Sequence, residues 1–125
     1  MAVSQPAKFV LVDDDPQILK LMGELLEMRG HEVVLFHAGT TAVIDIPDEN
    51  PDCVITDLMM VGLNGLDLAR ELREVPKLSR IKIVMVTSQS DSETRSQAEE
   101  VGVDAFIAKP IDPAAFANQI EVFLR

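Results

Sequence analysis

Residues 9–16 read FVLVDDDP, and this stretch decides the fold. Its first four residues, 9–12, form an unbroken apolar run that stops abruptly at the three aspartates 13–15. Pro16 suits the first turn of a helix, and Asp15 before it is a good N-cap. Because an unbroken apolar run is typical of a strand covered on both faces of its sheet, the stretch predicts a buried strand that leads directly into a helix.

The same alternation of apolar run and helical pattern recurs about five times along the chain. The predicted strands are 9–12, 33–36, 53–55, 81–86 and 105–108. The predicted helices are 16–30, 40–46 closed by Pro47, 65–74, an exposed one at 90–101, and a last one that Asp112 and Pro113 open and that buries Phe116, Ile120 and Phe123. This order predicts an α/β fold, a doubly wound, flavodoxin-like (βα)5 domain whose five parallel strands follow the order 2-1-3-4-5.

Composition excludes several classes of function. The 125 residues include 11 Lys and Arg against 21 Asp and Glu, a net charge of −10, which argues against direct binding of nucleic acid or of an anionic membrane surface. No apolar run approaches the roughly 20 residues that a membrane span needs. With one cysteine, Cys53, the chain has no intramolecular disulfide, and we expect a cytoplasmic setting.

Chemically active side chains collect where the predicted strands end. The first strand ends on Asp13 and Asp14, the third on Asp57, the fourth on Thr87 and the fifth on Lys109. Because ligands of open parallel sheets bind beyond the carboxyl ends of the strands, these groups are expected to converge on one edge.

Three carboxylates at close quarters repel one another unless a cation lies among them, and Mg²⁺ suits such a set because it binds one or two carboxylates and bridges to phosphate oxygens. Asp57 is then a plausible nucleophile toward phosphorus. Lys109 would neutralise charge on the transferred group, and Thr87 would donate one hydrogen bond to it. The pattern favours metal-assisted phosphoryl transfer onto Asp57.

Other functions of similar folds lack their residues. No glycine-rich loop follows the first strand, and a flavin phosphate there would face three aspartates. His31 and His37 flank the second strand, away from the acidic edge, so no base is available for a Ser or Cys triad; we expect both on the surface.

The chain resembles the receiver domain of response regulators, the phosphoacceptor half of two-component signalling. The resemblance rests on five motifs in order, VDDD (12–15), ITDLMM (55–60), NG (64–65), VTS (86–88) and GVDAFIAKP (102–110). It runs from about Lys8 to the C-terminus. We therefore predict a receiver domain at 8–125 after a disordered lead at 1–7.

The resemblance implies a phosphorylated aspartate at Asp57 and a Mg²⁺ site beside it. Asp14 would bind the metal directly, Asp13 would act through water, and Met59 would add its backbone carbonyl. The phosphoryl donor would be a phosphohistidine of a sensor histidine kinase or of a histidine phosphotransfer protein. The domain would be a regulator rather than an enzyme, catalysing only its own phosphotransfer and dephosphorylation.

The resemblance also implies a switch. Thr87 is similar to the switch hydroxyl and Lys109 to the phosphate-binding lysine, with a cis peptide before Pro110. Phe106 stands at the aromatic switch position, although a strand phenylalanine serves equally well as core. The partner face would be helix four, strand five and helix five, in a monomer or a phosphorylation-dependent dimer whose downstream target the sequence does not name.

Two alternatives stay open. The run 13–15 also fits the DxD of haloacid-dehalogenase-type phosphatases, whose nucleophile would be Asp13, but only Asp112 and Glu121 supply acids after Lys109. The other alternative is a receiver-like interaction module that is never phosphorylated. Val61 favours it slightly, because the family usually has proline there.

Overall fold

In this computed structural model, which describes residues 5–89 and 91–124, five strands form one parallel sheet. The strands are β1 (Lys8–Val12), β2 (Glu32–Phe36), β3 (Cys53–Thr56), β4 (Lys82–Thr87) and β5 (Ala105–Ala108). Their order is β2-β1-β3-β4-β5, and all four neighbouring pairs are parallel. The predicted order is confirmed, so the strand order reverses between β1 and β3, where the predicted acidic edge lies.

Helices cover both faces of the sheet, which confirms the doubly wound architecture. They are α1 (Pro16–Glu27), α2 (Gly39–Glu49), α3 (Gly65–Arg73), α4 (Ser92–Glu100) and α5 (Phe116–Phe123). α1 and α5 bury one core against the sheet, and α2, α3 and α4 bury the other. Among the described residues, no helix combines the length and apolar character needed to cross a membrane.

Side-chain caps fix where three helices begin. Asp15 accepts a hydrogen bond from the N–H of Gln17 at 3.0 Å and caps α1 as predicted. Asn64 caps α3 in the same way, and Asp91 caps α4 by accepting from the N–H of Thr94 at 2.9 Å. The predicted fourth helix, 90–101, therefore shortens to α4, and its first residue, Ser90, lies outside the described residues.

Three further helix boundaries differ from the prediction. α1 ends at Glu27 rather than at residue 30, because residues 28–30 continue as a turn. Pro47 does not close α2, which continues to Glu49 and ends at Asn50 in the left-handed conformation, with φ 51°. Although proline removes a helical N–H, the buried side chain of Ile46 packs this last turn onto the core. The last helix begins at Phe116 rather than at 112–113, because the carbonyl of Asp112 accepts bonds that close a turn at 113–115.

The N-terminal lead is tied to the sheet at its last residue. Residues 1–4 of the predicted lead, 1–7, lie outside the described residues. Ala7 donates its N–H to Nδ1 of His31 at 2.9 Å, and its carbonyl accepts from the N–H of Glu32 at 3.0 Å. Backbone pairing with the β2 side therefore begins at Ala7.

His31 is buried, which corrects the expectation that it lies on the surface; His37 is exposed, as expected. Nε2 of His31 lies 2.8 Å from a carboxylate oxygen of Glu121, and the guanidinium of Arg29 also bonds this carboxylate. The edge of the imidazole meets the ring of Phe9, with centroids 5.0 Å apart. A histidine becomes buried here because both of its nitrogens have partners, which the sequence does not reveal.

Glu121→Gln is expected to lower the free energy of unfolding by about 1–2 kcal/mol at neutral pH, since it removes the charge from both bonds. Burial would raise the pKa of Glu121, but the bonds from His31 and Arg29 outweigh it and hold that pKa below its usual 4.5. A lowered pKa contributes stability above pH 4.5 that is lost as pH falls through the folded-state value. Urea unfolding at neutral pH and near pH 4 measures both effects.

The exposed Glu27→Gln, which removes the same charge from α1, is the matched control and is expected to change stability little at either pH. Equal losses in the two variants would show that the contacts of Glu121 add nothing beyond net charge.

Candidate functional site

The backbone ladder continues past the strand ends and sets the site residues side by side. Asp57 donates its N–H to the carbonyl of Val12 at 3.0 Å, one residue before Asp13. Lys109 donates its N–H to the carbonyl of Thr87, also at 3.0 Å. All four predicted strand-end positions therefore lie on the carboxyl edge of the sheet.

Three carboxylates form a cluster at this edge. One oxygen from each of Asp13, Asp14 and Asp57 lies within 4.8 Å of the other two. Asp13 and Asp57 are buried, whereas Asp14 is exposed. Burial raises the pKa of Asp13, although the N–H of Asp15 and the ammonium of Lys109 both favour its charged form.

Lys109 joins two of the three carboxylates. Its Nζ lies 2.9 Å from Oδ2 of Asp13 and 3.3 Å from Oδ2 of Asp57. Burial alone would lower the pKa of Lys109, but these two carboxylates outweigh it and raise the pKa. The peptide bond from Lys109 to Pro110 is cis. The ammonium is thus held as a cation beside Asp57.

The loop after β3 orients the Asp57 carboxylate. Its Oδ1 accepts a hydrogen bond from the N–H of Leu58 at 2.8 Å, while Oδ2 faces Lys109. Met59 lies two residues on, with its side chain 62% exposed, and Val61 is 88% exposed. The loop ends at Gly65, whose N–H donates to the carbonyl of Leu58 at 2.9 Å.

Thr87 and Phe106 lie on the neighbouring strands β4 and β5. Thr87 is buried at the end of β4, and its hydroxyl accepts from the N–H of Gln89 at 3.1 Å. Phe106, in β5, is partly buried against the core that α2, α3 and α4 cover. The guanidinium of Arg95, from α4, lies over its ring at 5.2 Å from the centroid.

The donor set fits a metal ion. Carboxylate oxygens are the ligands of hard divalent cations. Lys109 reduces the repulsion between Asp13 and Asp57, and a metal ion would reduce the repulsion among all three carboxylates. The described geometry therefore comprises a cluster of carboxylates that could bind a metal and an ammonium held beside the Asp57 carboxylate.

Sequence patterns did not reveal two groups of the site. The N–H of Leu58 is a backbone donor and leaves no mark on residue type. Arg95 lies in a helix predicted as a thin, exposed one, and only the packing of that helix on β5 brings its guanidinium over Phe106. The only signals of this contact in the sequence are an aromatic residue in a predicted strand and an arginine in the helix before it.

Known proteins are similar to this chain over most of its length. The sequence model of the response regulator receiver domain matches residues 9–121. The phosphate regulon transcriptional regulatory protein PhoB of Pseudomonas aeruginosa is 32% identical over 116 residues, which cover 93% of this chain and 51% of PhoB. The chain thus spans about half the length of the curated relatives it matches.

Solved structures give the same result. The beryllofluoride-activated receiver domain of DrrB, from Thermotoga maritima, superposes with a TM-score of 0.83 at 28% identity and covers 96% of this chain and 98% of its own. The chemotaxis protein CheY4 of Vibrio cholerae superposes with a TM-score of 0.90 at 23% identity, covering 95% of this chain and 99% of its own, which shows the shared fold.

Proposed function

Because the chain belongs to the family of response regulator receiver domains, we propose that it is a phosphorylation-controlled switch whose acceptor is Asp57. The observation that carries the proposal is the pairing of the Asp57 carboxylate with the Lys109 ammonium, 3.3 Å away, beside two further carboxylates. In this arrangement a carboxylate can be modified while a fixed cation balances the added charge.

The reaction transfers a phosphoryl group from a phosphohistidine. A carboxylate oxygen of Asp57 attacks phosphorus, the phosphorus–nitrogen bond breaks, and the histidine leaves as neutral imidazole after taking up a proton. Lys109 balances charge on the phosphoryl oxygens, and the hydroxyl of Thr87 donates a hydrogen bond to one of them. Hydrolysis of the acyl phosphate by water resets the switch.

We propose that Asp13, Asp14 and Asp57, with the backbone carbonyl of Met59, hold Mg²⁺. When bound, this ion draws negative charge from the phosphoryl oxygens. Asp14 would bind the ion directly, and Asp13, the most buried of the three carboxylates, would act through water.

The phosphodonor in this proposal is a sensor histidine kinase or a histidine phosphotransfer protein in the cytoplasm. Phosphorylation would change the face of α4, β5 and α5, which would meet a downstream protein or a second receiver. The chain itself would not contact nucleic acid, and its catalysis would be limited to its own phosphotransfer and dephosphorylation.

The two alternatives have less support. The family match does not favour a haloacid-dehalogenase-type phosphatase with Asp13 as nucleophile, and Asp13 is buried and bonded to Lys109 at 2.9 Å. A module that is never phosphorylated would not need Lys109 placed beside Asp57.

Incubation with acetyl phosphate tests the proposal. We expect intact-mass spectrometry to show one phosphoryl adduct when Mg²⁺ is present and none when a chelator removes it, because the carboxylates of the site repel an incoming phosphoryl group. If no adduct forms, Mg²⁺-dependent binding of beryllofluoride, followed by NMR, separates fast dephosphorylation from an inactive site. Absence of both would overturn the proposal.

A further inference from the structure

Helix α4 is held loosely on the sheet. Its buried residues are two small ones, Thr94 and Ala98, and its remaining described side chains are exposed. A cavity of 190 Å³ lies between α4 and β5, with Arg95 and Phe106 in its lining. Little apolar surface joins α4 to β5. Single contacts between them therefore contribute much of the free energy that holds the helix and the Phe106 ring in place.

Arg95 makes one such contact. Its guanidinium carbon lies 5.2 Å from the ring centroid of Phe106, within the range of a cation–π interaction. This contact stabilises the ring in its present, partly exposed position beneath α4.

Phe106 lies on the same face of the sheet as Thr87. In the register of β4 and β5, Phe106 pairs with Met85 and Ala108 pairs with Thr87. Because side chains two apart on a strand share a face, Phe106, Ala108 and Thr87 lie on the same face. Met85, beside Phe106, is on this face too, and Ala108, beside Thr87, has the smallest side chain that has a Cβ. A ring that turned toward Thr87 would lie over Ala108 and would leave Arg95.

We propose that Arg95 is a positioning residue of the switch, which holds Phe106 beneath α4 and so opposes the phosphorylated arrangement. This inference rests on the proposed function, in which Thr87 bonds a phosphoryl group on Asp57 and phosphorylation changes the face of α4, β5 and α5. The cation–π contact is made in one arrangement of the ring and lost in the other, so it biases the equilibrium between them. Its removal makes the phosphorylated arrangement easier to reach.

The experiment measures the affinity for beryllofluoride at saturating Mg²⁺ by NMR titration, because the chain has no Trp or Tyr for fluorescence. Arg95→Gln is expected to bind beryllofluoride about two- to fivefold more tightly than the wild type, the factor that an exposed cation–π contact represents. Loss of a positive charge on its own would weaken binding of this anion, so the expected sign is opposite to that of a charge effect.

Arg80→Gln is the matched control, because it removes the same charge from an exposed residue before β4, at the end of the sheet opposite Thr87. Its affinity for beryllofluoride and the affinity of Arg95→Gln for Mg²⁺ alone are expected to equal those of the wild type. In a Phe106→Leu background, Arg95→Gln is expected to have no effect, since the ring through which it acts is gone.

The outcomes separate the two proposals. If the wild type does not bind beryllofluoride with Mg²⁺, the proposed function fails and this inference fails with it. If the wild type binds but Arg95→Gln matches Arg80→Gln, or tightens binding equally without Phe106, the inference alone is overturned. Tighter binding that depends on Phe106 supports it.

Discussion

The Asp57→Asn variant is expected to form no phosphoryl adduct under conditions that label the wild-type chain fully. The amide has nearly the shape of the carboxylate but no charged oxygen that can attack phosphorus. Its carbonyl oxygen can still accept from the N–H of Leu58, which lies 2.8 Å from Oδ1 in the wild type, so the loop keeps its anchor. Intact-mass spectrometry after incubation with acetyl phosphate and Mg²⁺ measures the loss.

Two further variants test whether the loss of the adduct is specific to Asp57. Asp45→Asn removes an exposed carboxylate from α2 and is expected to label like the wild type. Asp13→Asn is expected to label more slowly but still on Asp57, as mapping of the labelled peptide would show. An adduct that survived Asp57→Asn and disappeared with Asp13→Asn would refute the assignment of the acceptor and favour the phosphatase mechanism.

The fold could be predicted largely from the sequence because the strands are buried runs. β1, β3 and β4 are almost wholly buried, so their sequences are apolar except for a lysine or threonine at an end. The prediction that Pro47 closes α2 is wrong, because the buried side chain of Ile46 holds the last turn of the helix in place. Boundaries decided by packing are not visible in a local pattern.

The positions of the site residues followed from topology, whereas their contacts did not. A parallel sheet brings the carboxyl ends of its strands to one edge, so the strand order alone predicts that Asp13, Asp57 and Lys109 lie close together. That Lys109 bonds Asp13 at 2.9 Å more closely than Asp57 at 3.3 Å depends on side-chain rotamers and burial. His31 illustrates the same limit, since its partner Glu121 is 90 residues away.

Gly65→Ala is expected to lower the free energy of unfolding by about 2–4 kcal/mol, the largest stability effect we predict. A Cβ at this position would lie 2.2 Å from the carbonyl oxygen of Asp57 and 3.0 Å from the Cα of Leu58. Both are backbone atoms of the loop that carries the acceptor, so they cannot turn aside as a flexible side chain would. The loop must shift, and with it the N–H of Leu58 that orients the Asp57 carboxylate.

Gly23→Ala in α1 is the matched control, since its Cβ would meet only side chains, the nearest being Cδ2 of Leu35 at 3.4 Å. There alanine improves helix propensity and is expected to leave stability unchanged or raise it by up to about 1 kcal/mol. Urea unfolding measures both variants, and acetyl phosphate labelling of folded Gly65→Ala is expected to be slower than that of Gly23→Ala. Equal stability and equal labelling of Gly65→Ala and Gly23→Ala would mean that the loop tolerates a Cβ at position 65. Close packing against Gly65 would then not be what holds Asp57 in place.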